Sequence, residues 1–275
     1  MLRRAPRRGA LDWVALALAP AGLAVVGLAQ TLDHGSLGSL LQPVPFLIVF
    51  GGTLGAVLMT YRPRELRDAA VAAGQAFRHA DDDTGALAAS LVALSLRAHR
   101  RGVLVLENEL DEVTESFLRD GLALTIDGTP LDTLRDFLGV EKAARDADEE
   151  APARVFETAA GYAPTLGILG AVLGLMRVMD NLAAPSAIGG GIAVAFVATV
   201  YGVGAANLVL LPVAGRIRER AARSARRRAL IVEALLAMQQ RQHPRMVAHK
   251  LRSFSSDIPR IDEIALRVAP RAARS

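Results

Sequence analysis

Residues 161–212 read GYAPTLGILGAVLGLMRVMDNLAAPSAIGGGIAVAFVATVYGVGAANLVLLP, two long apolar runs joined by a short polar turn at Asp180 to Ser186. Roughly 18 or more apolar residues are what a helix needs to cross the hydrocarbon of a bilayer. The second run, Ile188 to Leu211, carries no charge, and the first, Gly161 to Met179, carries only Arg177 near its end. The pair predicts a transmembrane hairpin, around which the rest of the chain must be arranged.

The composition of the hairpin separates it from a simple anchor. Gly167, Gly170, Ala171 and Gly174 recur at helical spacing in the first run. Gly191, Ala195 and Thr199, with Ala198, Gly202 and Ala206 beside them, do so in the second. Small residues three and four apart let helix backbones approach closely where no hydrophobic effect drives association. The pattern predicts a packed helical assembly; the competing account is a generic span drawn from an alanine-rich composition. Neither run contains Asp, Glu, Lys or His, and Arg177 can snorkel to the interface. If ions cross here, this chain supplies walls and the hydroxyls of Thr165, Thr199 and Tyr201, and the carboxylate must come from a partner.

The totals agree with a membrane protein. The 275 residues are 52% hydrophobic with only 4% aromatic, and the mean hydropathy is +0.30. The absence of cysteine excludes disulfides and thiolate chemistry. A pI of about 10.1 raises the question of nucleic acid, but the arginines sit beside the apolar runs, which favours membrane topology.

A basic segment, Met1 to Gly9, precedes an apolar run from Ala10 to Gln30 that holds only Asp12. It is long for a signal-peptide core and a second apolar stretch follows at once, so it is expected to be the first transmembrane helix. Asp33 and His34 fall in a polar turn, and Leu37 to Thr60 form the second span, with Pro43 and Pro45 predicting an irregular or bent start. Four basic residues precede the first span, three (Arg62, Arg64, Arg67) follow the second, and seven lie between Arg216 and Arg228 after the fourth. The connecting turns hold none. This asymmetry places both termini and the middle segment in the cytoplasm; orientation and lipid contact suffice to explain most of these arginines.

The expected organisation is an all-α membrane protein with four transmembrane helices: 1–60 with spans 1 and 2, a cytoplasmic helical domain over 61–160, the hairpin of spans 3 and 4 over 161–212, and a cytoplasmic helical tail over 213–275. In the middle segment Leu87, Leu91, Leu94 and Ala98 repeat at helical spacing, and Leu104, Leu106, Leu110, Val113 and Phe117 are expected to continue that helix. His99-Arg100-Arg101-Gly102, followed by Glu107, Glu109, Asp111 and Glu112, would then lie about two turns apart on one helix side; alone, such charges usually mark a solvated face. The tail predicts a helix with an apolar stripe at Ile231, Leu235 and Met238, a break at His243-Pro244, and a second short helix.

Other chemistries find no support. Gly189-Gly190-Gly191 has no lysine nearby, so it reads as packing rather than a phosphate loop. None of the five histidines has metal-ligand spacing, and no nucleophile, base and orienting group can be assembled. No catalytic residue, metal or cofactor is expected.

Three stretches together resemble one family. Phe50 to Thr60, FGGTLGAVLMT, looks like the second span of the flagellar stator A subunits (MotA and its sodium-type relative PomA). Tyr162 to Pro212 looks like their third and fourth spans, and Leu230 to Phe254 is similar to their C-terminal signature. The wider superfamily, with the ExbB and TolQ transport subunits, shares the hairpin but has three spans and lacks that signature. The resemblance implies a pentamer around two copies of a single-span, MotB-like B subunit whose aspartate carries the ion. The family's channel prolines fall on Pro164 and Pro212 and its fourth-span threonine on Thr199. Ala171 stands where sodium-type members carry a second threonine, which favours protons. The torque residues, an arginine pair followed by x-Gly and a glutamate in Leu-Glu, map to His99 and Arg100, with Arg101 at the variable position, and to Glu107 through Leu106-Glu107. His99 departs from the pattern, so the electrostatic role toward the flagellar rotor protein (FliG-like) shifts to Arg100. The implied function is a proton-conducting flagellar stator subunit of the bacterial inner membrane. An energiser of envelope transport and a non-conducting membrane scaffold are the alternatives.

Overall fold

The computed structural model describes residues 37–78, 84–183 and 185–254, with Ala24, Val25, Leu28 and Leu32 before them. The expected first span and the basic segment ahead of it fall almost wholly outside the described residues, as do the turn at Asp33-His34 and the tail beyond Phe254. Among the described residues every element is helical. A short 3-10 turn, Leu37–Leu40, precedes α1 (Pro43–Phe46), a π-helical segment (Leu47–Gly51) and α2 (Gly52–Thr60). There follow α3 (Pro63–Ala76), α4 (Thr84–Arg101), a 3-10 helix (Val103–Glu112), α5 (Ser116–Ile126) and α6 (Leu131–Asp180). The chain continues through α7 (Pro185–Gly204), a π-helical segment (Ala205–Leu210), α8 (Leu211–Gln239) and α9 (Pro244–Arg252). Three stretches, Pro43–Thr60, Leu131–Asp180 and Ile188–Gln239, contain windows long and apolar enough to cross a membrane.

The described chain divides into two compact units, one built from 37–78 and 149–220, the other from 84–148 and 221–254. In the first, the expected second span starts six residues later than its apolar run suggests. Pro43 and Pro45 offer no amide to the preceding carbonyls, Gln42 is extended (φ −118°, ψ 123°), and regular α-helix resumes only at Gly52. The span stops where Tyr61 and Arg62 turn extended ahead of Pro63, the conformation a following proline imposes. The Arg62 amide is then taken up by Glu65 Oε2 at 2.7 Å. Tyr61 fixes this corner, its hydroxyl donating to the Arg154 carbonyl at 3.1 Å and bonding Thr158 Oγ1 at 2.8 Å.

The second unit has a leucine-rich core. Leu91 and Leu94 of α4, Leu106 of the 3-10 helix, Phe117 and Leu122 of α5, and Leu134 and Leu138 of α6 are fully or nearly fully buried together. The predicted stripe of the tail, Ile231, Leu235 and Met238, inserts into this core with Val247, Ala248 and Leu251 of α9. The break at His243-Pro244 is present, and the His243 imidazole Nδ1 accepts the Arg245 amide at 3.2 Å to cap α9.

One expectation is corrected here. α4 does not run on through Leu104 to Phe117. It ends at Arg101, Gly102 takes φ 86°, a left-handed conformation glycine adopts without penalty, and residues 103–112 form a tighter 3-10 helix. Leu104 consequently faces solvent while Leu106 is buried. His99 to Arg101 and Glu107 to Glu112 therefore occupy two elements rather than two turns of one helix.

Candidate ion pathway and charged surface

The two helices of the hairpin meet through their smallest residues. A Cβ added at Gly202 would lie 2.5 Å from the Ala163 carbonyl oxygen and 3.1 Å from the Cα atoms of Pro164 and Gly167. One added at Gly167 would lie 2.9 Å from the Ala198 carbonyl oxygen and 3.4 Å from the Thr199 Cα. Further along, a Cβ on Gly174 would come within 2.8 Å of the Ala195 nitrogen, and one on Gly191 within 2.6 Å of Val178 Cγ2. Contact of backbone on backbone means that the small residues form a packing seam, and an alanine-rich composition alone does not account for them.

This seam brings Pro164 and Thr199 to one place. Ala171 follows Gly170, whose added Cβ would meet the Ala198 Cβ at 2.7 Å. The Thr199 hydroxyl donates to the Ala195 carbonyl at 3.2 Å, and the Thr165 hydroxyl to the Tyr162 carbonyl at 2.7 Å. Each proton is committed to its own helix, so what remains on offer is oxygen lone pairs, suited to a protonated carboxyl or a cation. Tyr201 is engaged elsewhere. Its hydroxyl donates to the Leu40 carbonyl and accepts the Gln42 amide at 3.3 Å, while its ring meets those of Phe46 and Phe50 at 6.3 and 5.8 Å. Pro212 lies just past the π-helical segment. There the Leu211 amide reaches back five residues to Ala206, and Pro212 supplies no amide for the next carbonyl.

In the other unit Arg100, Arg101 and Glu107 are exposed, and none forms an ion pair among the described residues. His99 is exposed as well, but its ring lies edge-on to that of His243 at 5.2 Å. A cavity of about 360 Å³ beside it is lined by Ser95, His99, Gly102, Met238 and Arg241 among others. Glu109, one of the predicted acidic cluster, pairs with Arg97 at 2.6 Å. Burial pushes the Glu109 carboxyl above its ordinary value and Glu112 adds to this, with Arg97 opposing. Arg97 escaped sequence reasoning because it sits on α4 and its partner beyond the Gly102 turn, a juxtaposition no helical spacing encodes.

The tail arginines are also more committed than orientation signals need be. Arg228, nearly buried, bonds Asp146 at 2.7 Å, and Lys142 bonds the same carboxylate at 2.6 Å. Arg227 approaches Glu115 at 3.4 Å, and Arg218 pairs with Glu157 at 2.9 Å. Burial by itself would raise the Asp146 carboxyl, but hydrogen bonds and charge from Lys142 and Arg228 outweigh it and hold it below the usual carboxylate value. No three His, Asp or Glu side chains among the described residues converge to hold a metal.

These features define a class: a helical protein with apolar stretches long enough to cross a membrane, two of which pack by backbone contact, and with a second, charged helical unit. The model of the MotA/TolQ/ExbB proton channel family matches residues 109–229. Chemotaxis protein PomA of Vibrio alginolyticus is 32% identical over 243 residues, 88% of this chain and 95% of that protein. The chain belongs to the MotA/TolQ/ExbB proton channel family, and the resemblance read from the sequence is borne out. Its fold is that of a chain in the structure of MotAB from C. jejuni (TM-score 0.83, 22% identity, 90% of this chain and 98% of that one). The flagellar MotAB stator complex from Bacillus subtilis is similar as well, with a TM-score of 0.76 and 26% identity over 94% of this chain and 99% of that one.

Proposed function

We propose that this chain is the A subunit of a flagellar stator, conducting protons with a single-span B-type partner and turning their flow into torque on the rotor. The observation that carries the reading is the seam of α6 and α7. It holds Pro164 against Gly202 and Thr199 against Gly167, and contains hydroxyls but no carboxylate. Such a site requires a titratable group from a second protein, and a B-type subunit bearing an aspartate supplies one. The reading includes four spans in the inner membrane, both termini in the cytoplasm, the domain limits 1–60, 61–160, 161–212 and 213–275, and a pentameric ring around two partner copies. Protonation of the partner's aspartate alters its pairing with the Thr199 and Pro164 region, and the ring steps. Ala171, with no hydroxyl to replace sodium's hydration, favours protons. The cytoplasmic unit acts on the rotor through Arg100, Arg101 and Glu107.

The test is a clean deletion with filaments counted by electron microscopy. Filaments present but paralysed, rescued by the gene and not by a Pro164→Leu allele made at normal level and assembling normally, support the proposal. Unchanged torque in Pro164→Leu, or normal swimming of the deletion strain, overturns it.

A further inference from the structure

Where a helix begins irregularly, its first backbone polar groups have no partner within the helix, and such backbone is held in one conformation when side chains of the protein satisfy it. Residues 40–42 are such a place. Pro43 and Pro45 provide no amides, the chain is extended at Gln42, and the single turn of α1 passes at once into the π-helical segment Leu47–Gly51. The Leu40 carbonyl and the Gln42 amide, 161 and 159 residues away in sequence, are both met by one side-chain atom, the Tyr201 hydroxyl oxygen, which donates to the first and accepts from the second. The phenol ring is held by Phe46 in a T-shaped contact and by Phe50. Tyr201 lies two residues beyond Thr199, and its neighbour Gly202 is the position pressed against Ala163, Pro164 and Gly167. α7 is thus fixed on two sides at this level: by close packing on α6, and by a two-way hydrogen bond to the entry of the second span.

We propose that Tyr201 is a positioning residue of the ion pathway: by bridging Leu40 and Gln42 it sets the rotation of α7, and with it the direction in which the Thr199 oxygen is offered to the ion-carrying group. It is not a group that takes up the ion itself, because both functions of its hydroxyl are in use. This rests on the stator reading above. A helix held only by the glycine seam can turn slightly about its own axis without losing backbone contact; the bridge removes that freedom.

The experiment replaces the chromosomal gene with Tyr201→Phe, which keeps the ring and its aromatic contacts and removes both hydrogen bonds. Rotation of single motors is measured at low load, where ion transit limits speed, and near stall, where the driving force limits torque; the amount of subunit in the membrane is measured in the same cells. Low-load speed is expected to fall about fivefold, the scale of one interhelical hydrogen bond, with stall torque and membrane level retained. Parental behaviour in Tyr201→Phe overturns the proposal. So does a parallel fall of stall torque and membrane level, since that is loss of folding rather than of positioning. A Tyr201→Leu strain, which loses ring and hydroxyl together, gives the size of that folding effect. If motors of the parent turn equally well without this gene, the stator reading itself has failed, a result distinct from the other two.

Discussion

Replacing Gly202 with alanine places a methyl group 2.5 Å from the Ala163 carbonyl oxygen, and the atoms it meets are backbone of a packed helix, which cannot step aside. Overpacking of this kind costs about 1–3 kcal/mol, and swimming together with the melting temperature of the purified complex is expected to drop. Gly121 makes a useful contrast: its added Cβ would meet Leu235 Cδ1 at 2.5 Å and Leu138 Cδ2 at 2.9 Å, the ends of side chains that can rotate. Gly121→Ala is expected to be milder in the same melts. Asp146 gives a pH dependence. Its folded pKa lies below the unfolded one, so its contribution to stability is fully present above about pH 4 and is lost as pH falls through the lowered value. Melting curves between about pH 3 and 6 are expected to flatten in Asp146→Asn relative to the parent. At Ala171, threonine would restore a second hydroxyl; motor speed in Ala171→Thr is expected to become dependent on external sodium, and unchanged indifference to sodium would count against the role given to this position.

At the scale of elements, the capping of α9 is testable. The His243 imidazole accepts the Arg245 amide, and α9 is short, with Val247, Ala248 and Leu251 in the core. Loss of an N-cap costs about 1 kcal/mol, so His243→Ala is expected to speed amide exchange across 244–252 about fivefold, with Asp at the same position restoring protection. The elements also show what could be read in advance. The second, third and fourth apolar runs, the tail helix with its stripe at Ile231, Leu235 and Met238, and the break at Pro244 follow from hydrophobic periodicity and from proline, both local properties of the chain. The end of α4 at Gly102 was not legible, because a single left-handed glycine followed by a 3-10 turn leaves leucine spacing nearly unchanged. Neither were the π-helical segments at Leu47–Gly51 and Ala205–Leu210, where residues as apolar as their neighbours change only their hydrogen-bond partners. The roles of Arg97 and Tyr201 depend on partners brought together by folding, and spacing within one helix says nothing about those.

For the whole molecule, Arg100, Arg101 and Glu107, which form no ion pair among the described residues, are the charges proposed to act on a partner. Charges acting through long-range attraction to a partner fall off with screening and respond to reversal. Arg100→Glu is expected to slow swimming severalfold without lowering the membrane level, and Arg97→Ala, which breaks the pair with Glu109, to lower the level first. Equal effects of the two on protein amount would remove the distinction between an exposed cation and an internally paired one. The glycine seam, finally, has a bearing on how sequences of this kind can drift. Its glycines leave no room even for a methyl group, whereas Ile168, Val172, Leu173 and Phe196 on the same helices are exposed in the chain itself. Substitutions accumulated over time would therefore exchange one bulky aliphatic for another on the outside of the hairpin and leave the inside a row of glycines and alanines, so that the two faces age at different rates.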